Sequence, residues 1–139
     1  MERVIFDSDL YIDWINVGLR EELLLDRWCI RYMSTVVLLE LQAGALEPAA
    51  AKAVDDLYRT FTRTGRVLSP SPDTFCRAGS VLRVLQRRFG FDLRSRFRLV
   101  NDCLIALSSR QIGATVVTRN ERDFRLIQQV VPFSLVVVP

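Results

Sequence analysis

Four carboxylates in this 139-residue chain fall where acids are costly: Asp7, Glu40, Asp102 and Asp123. Asp7 follows the apolar run Val4-Ile5-Phe6, at the point where a strand would end. Glu40 lies in a helical stretch, and its neighbours three and four residues away are Val36, Val37, Ala43 and Gly44. It therefore shares a face with apolar and small side chains. Asp102 repeats the pattern in the first turn of a predicted helix, beside Leu99, Ile105 and Ala106, with Arg98 as its one charged helical neighbour. Asp123 comes just after the strand-like Thr115–Val117 and the turn Thr118-Arg119-Asn120. Each has a plain reading by itself. Asp7 would cap the next helix, Glu40 would edge an apolar stripe, Asp102 would favour a helix N-terminus, and Asp123 would be a loop or cap residue.

Together the four raise a different expectation. Two unit charges ~4 Å apart repel by about 4 kcal/mol at an effective dielectric near 20. A divalent cation would offset that repulsion, and ligands that are all oxygen suit Mg²⁺ or Mn²⁺ better than zinc. Such an ion lowers the pKa of a bound water and neutralises charge on a phosphodiester, and a pair of ions can clamp the attacking and leaving oxygens. Hydrolysis of a nucleic-acid backbone uses these services.

Composition narrows the choice further. The chain has no histidine, which excludes Ser-His and Cys-His nucleophiles and His-ligated zinc. Cys29, Cys76 and Cys103 are far apart and form no CxxC pair, so reduced, mostly buried thiols in a cytoplasmic protein are expected. No apolar stretch nears the roughly 20 residues of a membrane span, and the first residues lack the basic-then-apolar pattern of a signal peptide. Net charge is +3, but among the 19 basic residues Lys52 is the sole lysine. Arginine's planar fork suits bidentate contact with phosphate.

The elements that must position these acids follow from apolar runs and stop signals. Short strands are expected at Arg3–Phe6, Cys29–Met33, Arg66–Leu68, Thr115–Val117 and Ser134–Val138. Helices are expected from Ser8 to Val17 with Gly18 as stop, over Glu21–Arg27, over Val36–Ala43 after a Ser34 or Thr35 cap, and from Pro48 to about Arg63. Further helices are expected over Asp73–Phe89, capped by Ser71 or Asp73, over Leu99–Gln111, and as a short turn at Glu121–Leu126. Apolar strands alternating with helices predict an α/β fold, a parallel sheet covered on both faces. Ligands in such folds sit outside the carboxyl ends of the strands, where Asp7 and Asp123 fall. No repeat or linker divides residues 1–139, so one domain is expected.

Four blocks of the sequence resemble the signatures of PIN domains, in particular the VapC-type toxins. They are Phe6-Asp7-Ser8, the run from Ser34 to Gly44 that contains Glu40, Asn101-Asp102-Cys103-Leu104-Ile105-Ala106, and Thr118-Arg119-Asn120-Glu121-Arg122-Asp123-Phe124. The resemblance implies a three-layer α/β/α fold with a mostly parallel sheet and Mg²⁺- or Mn²⁺-dependent endoribonuclease activity. It implies that Asp7, Glu40, Asp102 and Asp123 form the catalytic and metal-binding acidic cluster. Ser8, which supports the first aspartate, and Thr118 and Asn120, which line the site, would be supporting residues. Asn120 is neutral where relatives sometimes carry an acid, which would weaken a second metal site. The resemblance also implies a homodimer, a cognate antitoxin whose tail enters the active site, and a structured RNA as target.

One region departs from that pattern. The stretch from Arg77 through Arg98 holds seven arginines, both ends included, and one acid, Asp92. In its second half Arg87, Arg88, Arg94, Arg96 and Arg98 interleave with Phe89, Phe91 and Phe97. Arginine on phosphate and phenylalanine on unpaired bases would bind RNA; a solvated helix face, or a dimer or antitoxin surface, would have the same composition. Two other functions stay open. Asp7-Ser8-Asp9 after a strand also resembles the nucleophile motif of haloacid-dehalogenase-type phosphatases, although Lys52 is poorly placed to serve it. A catalytically inactive PIN domain could act as an RNA- or partner-binding module.

Overall fold

The computed structural model describes residues 2–139. The elements run β1 (Glu2–Phe6), α1 (Ser8–Val17), α2 (Glu21–Leu25), β2 (Cys29–Ser34), α3 (Thr35–Gly44), α4 (Pro48–Arg63), β3 (Val67–Leu68), α5 (Pro72–Phe89), α6 (Phe97–Gln111), β4 (Thr115–Thr118), α7 (Glu121–Gln128) and β5 (Ser134–Val137). The five strands form one sheet in the order β3-β2-β1-β4-β5. Every neighbouring pair is parallel. Helices α1, α3 and α4 pack on one another, as do α5, α6 and α7, and α3 touches α6. The expected three-layer α/β/α arrangement is what the chain adopts.

The apolar runs explain the central strands. Val4, Ile5 and Phe6 of β1 and Val116 and Val117 of β4 are essentially inaccessible to solvent. Strands covered on both faces need such continuous apolar sequence. The outer β5 instead alternates exposed and half-buried residues. From β1 the chain winds outward through β2 to β3; later it returns to the other side of β1 and winds through β4 to β5. Connections therefore leave β1 and β4 in opposite directions, and their carboxyl ends open a crevice at this switch in winding. Phe6 pairs with Val117 in the register, so Asp7 and Thr118 emerge side by side.

Local signals fix the helix ends that matter for that crevice. Ser34, the last residue of β2, caps α3 by accepting from the Val36 and Val37 amides at 3.1 and 3.4 Å. Such a cap contributes about 1 kcal/mol and fixes the phase of the helix that carries Glu40. Gly18 ends α1 in the left-handed region at φ 71°, which costs glycine nothing sterically.

Two elements differ from the sequence expectation in ways that affect the site. Helix α6 starts at Phe97, two residues early, because its opening turn is largely solvent-facing and carries no apolar periodicity. Asp102 thus lies in the second turn, where the helix dipole offers it less than a first-turn position would. Helix α7 extends to Gln128 because Phe124 and Ile127, three residues apart, both enter the core. Cys29 and Cys103 are buried and Cys76 is exposed, all three as free thiols. Among the described residues no helix is long and apolar enough to cross a membrane.

Candidate active site

Asp7 anchors the crevice. Its backbone amide continues the sheet by donating to the Val117 carbonyl at 2.9 Å. Its side chain caps α1, Oδ1 accepting from the Ser8 amide at 2.8 Å, while Oδ2 accepts from the Thr118 hydroxyl at 2.8 Å. The plain reading of Asp7 as a helix cap is therefore correct as geometry. Burial, and then the charge of Asp9, nevertheless push its pKa up from 3.8 to about 7 against those hydrogen bonds.

Glu40 reaches the same crevice from α3. Its pKa is raised, first by burial and also by Asp9, although Asn101, Ser8 and Arg98 favour the charged form. Its Oε1 is shielded from solvent and has no hydrogen-bond partner among the described residues. Asp102 approaches from α6 and is 5% exposed. Burial drives its pKa to about 9, with Asp7, Asp123 and Glu40 adding repulsion and Arg98 opposing it. Asn120 donates from Nδ2 to Asp102 Oδ2 at 3.1 Å and to Asp123 Oδ2 at 3.3 Å. Asp123, near the start of α7, also accepts from Arg96 Nη2 at 2.7 Å through Oδ1.

These groups surround one open cavity of about 390 Å³, lined by Asp7, Ser8, Asp9, Glu40, Arg98, Asp102, Arg119, Asn120 and Asp123. All four expected acids, with Ser8 and Asn120, share it. Thr118 is fully buried beneath and braces Asp7. The arginines separate into two sets. Arg98 lines the cavity and Arg96 meets it through Asp123. Arg87, Arg88 and Arg94 lie outside it: Arg88 donates to the Gln129 carbonyl, and Arg94 is almost wholly exposed beside Asp92. Lys52 is exposed on α4, paired with Asp56, and does not line the cavity.

Two residues of the site lie outside the set expected from the sequence, where Asp9 figures only in the phosphatase-like Asp7-Ser8-Asp9 motif. Asp9 accepts through Oδ2 from the Arg119 amide at 3.0 Å and the Thr118 hydroxyl at 3.3 Å, and its Oδ1 is buried without a partner. Burial raises its pKa as well. Arg119 pairs with Asp13 at 3.3 Å and closes that side of the cavity. The available signal was the spacing Asp7-Ser8-Asp9, which sets a second acid in the first turn of α1 directly after a strand end.

The donor set fits a hard cation. Every candidate ligand is an oxygen, and two buried carboxylate oxygens, Glu40 Oε1 and Asp9 Oδ1, lack the partners that buried polar atoms ordinarily have. As the side chains stand, no three acidic residues among those described close on a single point. Both oxygens of Asp123 accept hydrogen bonds, one from Arg96 and the other from Asn120.

Comparison with known proteins adds three findings. The family model of the PIN domain matches residues 7–129. No curated protein sequence matches the chain. Among solved structures, a DNA-bound VapBC from Salmonella typhimurium is similar at TM-score 0.69 and 21% identity, covering 99% of this chain and 98% of that one. VapBC2 from Rickettsia felis, bound to a promoter DNA fragment, gives 0.66 and 20% over 99% of both chains. The toxin–antitoxin protein VapBC-5 from Mycobacterium tuberculosis gives 0.65 and 19% over 99% of this chain and 100% of that one.

Proposed function

Because the chain belongs to the PIN domain family, we propose that it is a Mg²⁺- or Mn²⁺-dependent endoribonuclease, the toxin half of a toxin–antitoxin pair, with residues 1–139 forming one nuclease domain. The observation that carries this reading is the shared cavity: acids from β1–α1, α3, α6 and α7 meet in it, and two of them have pKa values of about 7 and 9. Burial first, and then the neighbouring acids, make charge on Asp7 and Asp102 costly to the fold alone, a cost that a bound cation would offset. The solved structures it resembles include VapBC toxin–antitoxin complexes, which supports an antitoxin as partner. RNA as substrate, a homodimer and a cytoplasmic location complete the reading.

Asp7, Glu40 and Asp102 would hold the cation, with Asp123 at the edge of the cluster. When bound, the ion supplies charge neutralisation on the scissile phosphate and an acidified water. The rest falls to the chain's own groups. Thr118 and the Ser8 amide fix both oxygens of Asp7. Asn120 ties Asp102 to Asp123 and keeps their carboxylates oriented. Arg98, exposed at the cavity wall, is placed to take a phosphate oxygen. Glu40 Oε1, which no protein donor occupies, is the atom available to hold a water or accept its proton.

Incubating the purified chain with total cellular RNA and mapping the new ends tests the proposal. Cuts at defined positions are expected with Mn²⁺ or Mg²⁺, and none when the cations are chelated. Equal cleavage in chelator would remove the metal-dependent reading, and no cleavage under any condition would favour a binding module. A second expectation concerns how RNA is held. Replacing Arg94 and Arg98 by Gln should weaken RNA binding and lower the slope of log affinity against log salt by about 0.7 for each lost phosphate contact. An unchanged slope would place the RNA elsewhere on the surface.

A further inference from the structure

Among the described residues, Asp123 is the one acid of the cluster with a positive partner in contact. Arg96 Nη2 lies 2.7 Å from its Oδ1, and the two side chains are only 22% and 17% exposed. Solvent therefore screens this pair less than an ordinary surface salt bridge. The other oxygen accepts from Asn120, which is neutral and shared with Asp102. A metal ion could still use a second lone pair of an Asp123 oxygen, but it would then sit beside the guanidinium on the same carboxylate, and the two positive charges would repel.

The support behind Arg96 is local. It precedes the first residue of α6 and gives that helix no side-chain cap. Its amide and that of Ser95 close a short turn on the Leu93 and Asp92 carbonyls. Its guanidinium lies 4.9 Å from the centroid of Phe91, which stacks on Phe89 at 6.3 Å. One ring and one turn, packed on the edge of the core through Phe91 and Leu93, hold the arginine on the acid.

We propose that Arg96 is a built-in occupant of the Asp123 corner, so that the Arg96–Asp123 pair and a divalent cation on Asp123 oppose one another. The inference rests on the metal-dependent reading above and concerns how that site is regulated. With Arg96 docked, cation binding favours the Asp7, Glu40 and Asp102 side. Any ligand that draws Arg96 away, an RNA phosphate included, opens the Asp123 corner to a cation. Linkage makes the effect reciprocal, so cation binding there loosens the arginine by the same factor.

Mn²⁺ binding to the full chain, followed by calorimetry and by counting bound ions by paramagnetic resonance, tests this without reference to activity. Arg96→Gln is expected to bind Mn²⁺ about fivefold or more tightly, or to bind one further ion per chain. Phe91→Leu removes the ring and leaves both charges, and should shift affinity the same way by less. Unchanged count and affinity in Arg96→Gln would overturn the opposition. Weaker binding would also overturn it, by showing that Arg96 holds Asp123 ready as a ligand. If neither the wild-type chain nor the variants bind Mn²⁺, the metal-dependent reading itself fails, a result distinct from the other two.

Discussion

Asp102→Asn should sharply reduce RNA cleavage and at the same time make the metal-free protein more stable. The loss is expected to be about a hundred- to a thousandfold, the scale on which charge-stabilising groups act in catalysis. The gain comes from the same residue. Asp102 is buried beside Asp7, Asp123 and Glu40, and its pKa of about 9 reports how unfavourable its charge is there. Asparagine has nearly the same shape and can still accept from Asn120, so the substitution removes the charge and leaves the packing. At pH 8 without divalent ions the variant should melt several degrees higher than the wild type, a shift of roughly 2–8 °C per kcal/mol for a domain of this size. Melting curves and cleavage assays on the same samples give the answer. An Asn variant that melts lower would mean that the carboxylate serves the fold and is no electrostatic burden.

The second large effect is a dependence of stability on pH that a cation should erase. In the folded, metal-free chain Asp7 and Asp102 have pKa values of about 7 and 9, raised from 3.8. Between pH 4 and these values the folded state binds more protons than the unfolded one. Stability therefore falls as pH rises through this window, and levels off above about pH 9. This is the reverse of an ordinary salt-bridged aspartate, whose contribution is lost on acidification. The melting temperature without divalent ions should accordingly be several degrees lower at pH 8.5 than at pH 6, and saturating Mn²⁺ should restore it at pH 8.5. Little Mn²⁺ effect is expected near pH 4, where the carboxyls keep their protons and ligate poorly. Asp102→Asn should flatten the dependence. A melting temperature that rises from pH 6 to 8.5 in chelator would show that the acids are not crowded together.

Much of this arrangement was readable from residue types and spacing. Val4-Ile5-Phe6 before Asp7 marked a buried strand with an acid at its carboxyl end. Glu40 and Asp102 betrayed themselves through apolar helical neighbours, because a solvated acid has no reason to share a face with Val36, Val37 or Ile105. The winding of a parallel sheet then accounts for Asp7 and Thr118 emerging together. The sequence offers Asp9 only as part of a phosphatase-like Asp7-Ser8-Asp9 motif, because an acid in the first turn of a helix is otherwise ordinary; the fold alone brings the Thr118 hydroxyl and the Arg119 amide onto it. By sequence Arg96 is one of a group of arginines that suits RNA, a solvated face or a partner surface equally. Its pairing spans 27 residues and depends on how α6 and α7 pack, which local patterns do not encode. The start of α6 was misplaced for a related reason, since Phe97 and Arg98 are exposed and give no apolar period.

The most direct test of the central claim is anomalous scattering from a crystal of the chain grown or soaked in Mn²⁺. The account predicts a peak within ligand distance, about 2.0–2.6 Å, of carboxylate oxygens from at least two of Asp7, Glu40 and Asp102, with the cavity otherwise as described. Mn²⁺ bound only elsewhere, or no peak at saturating concentration with these side chains ordered, would contradict it.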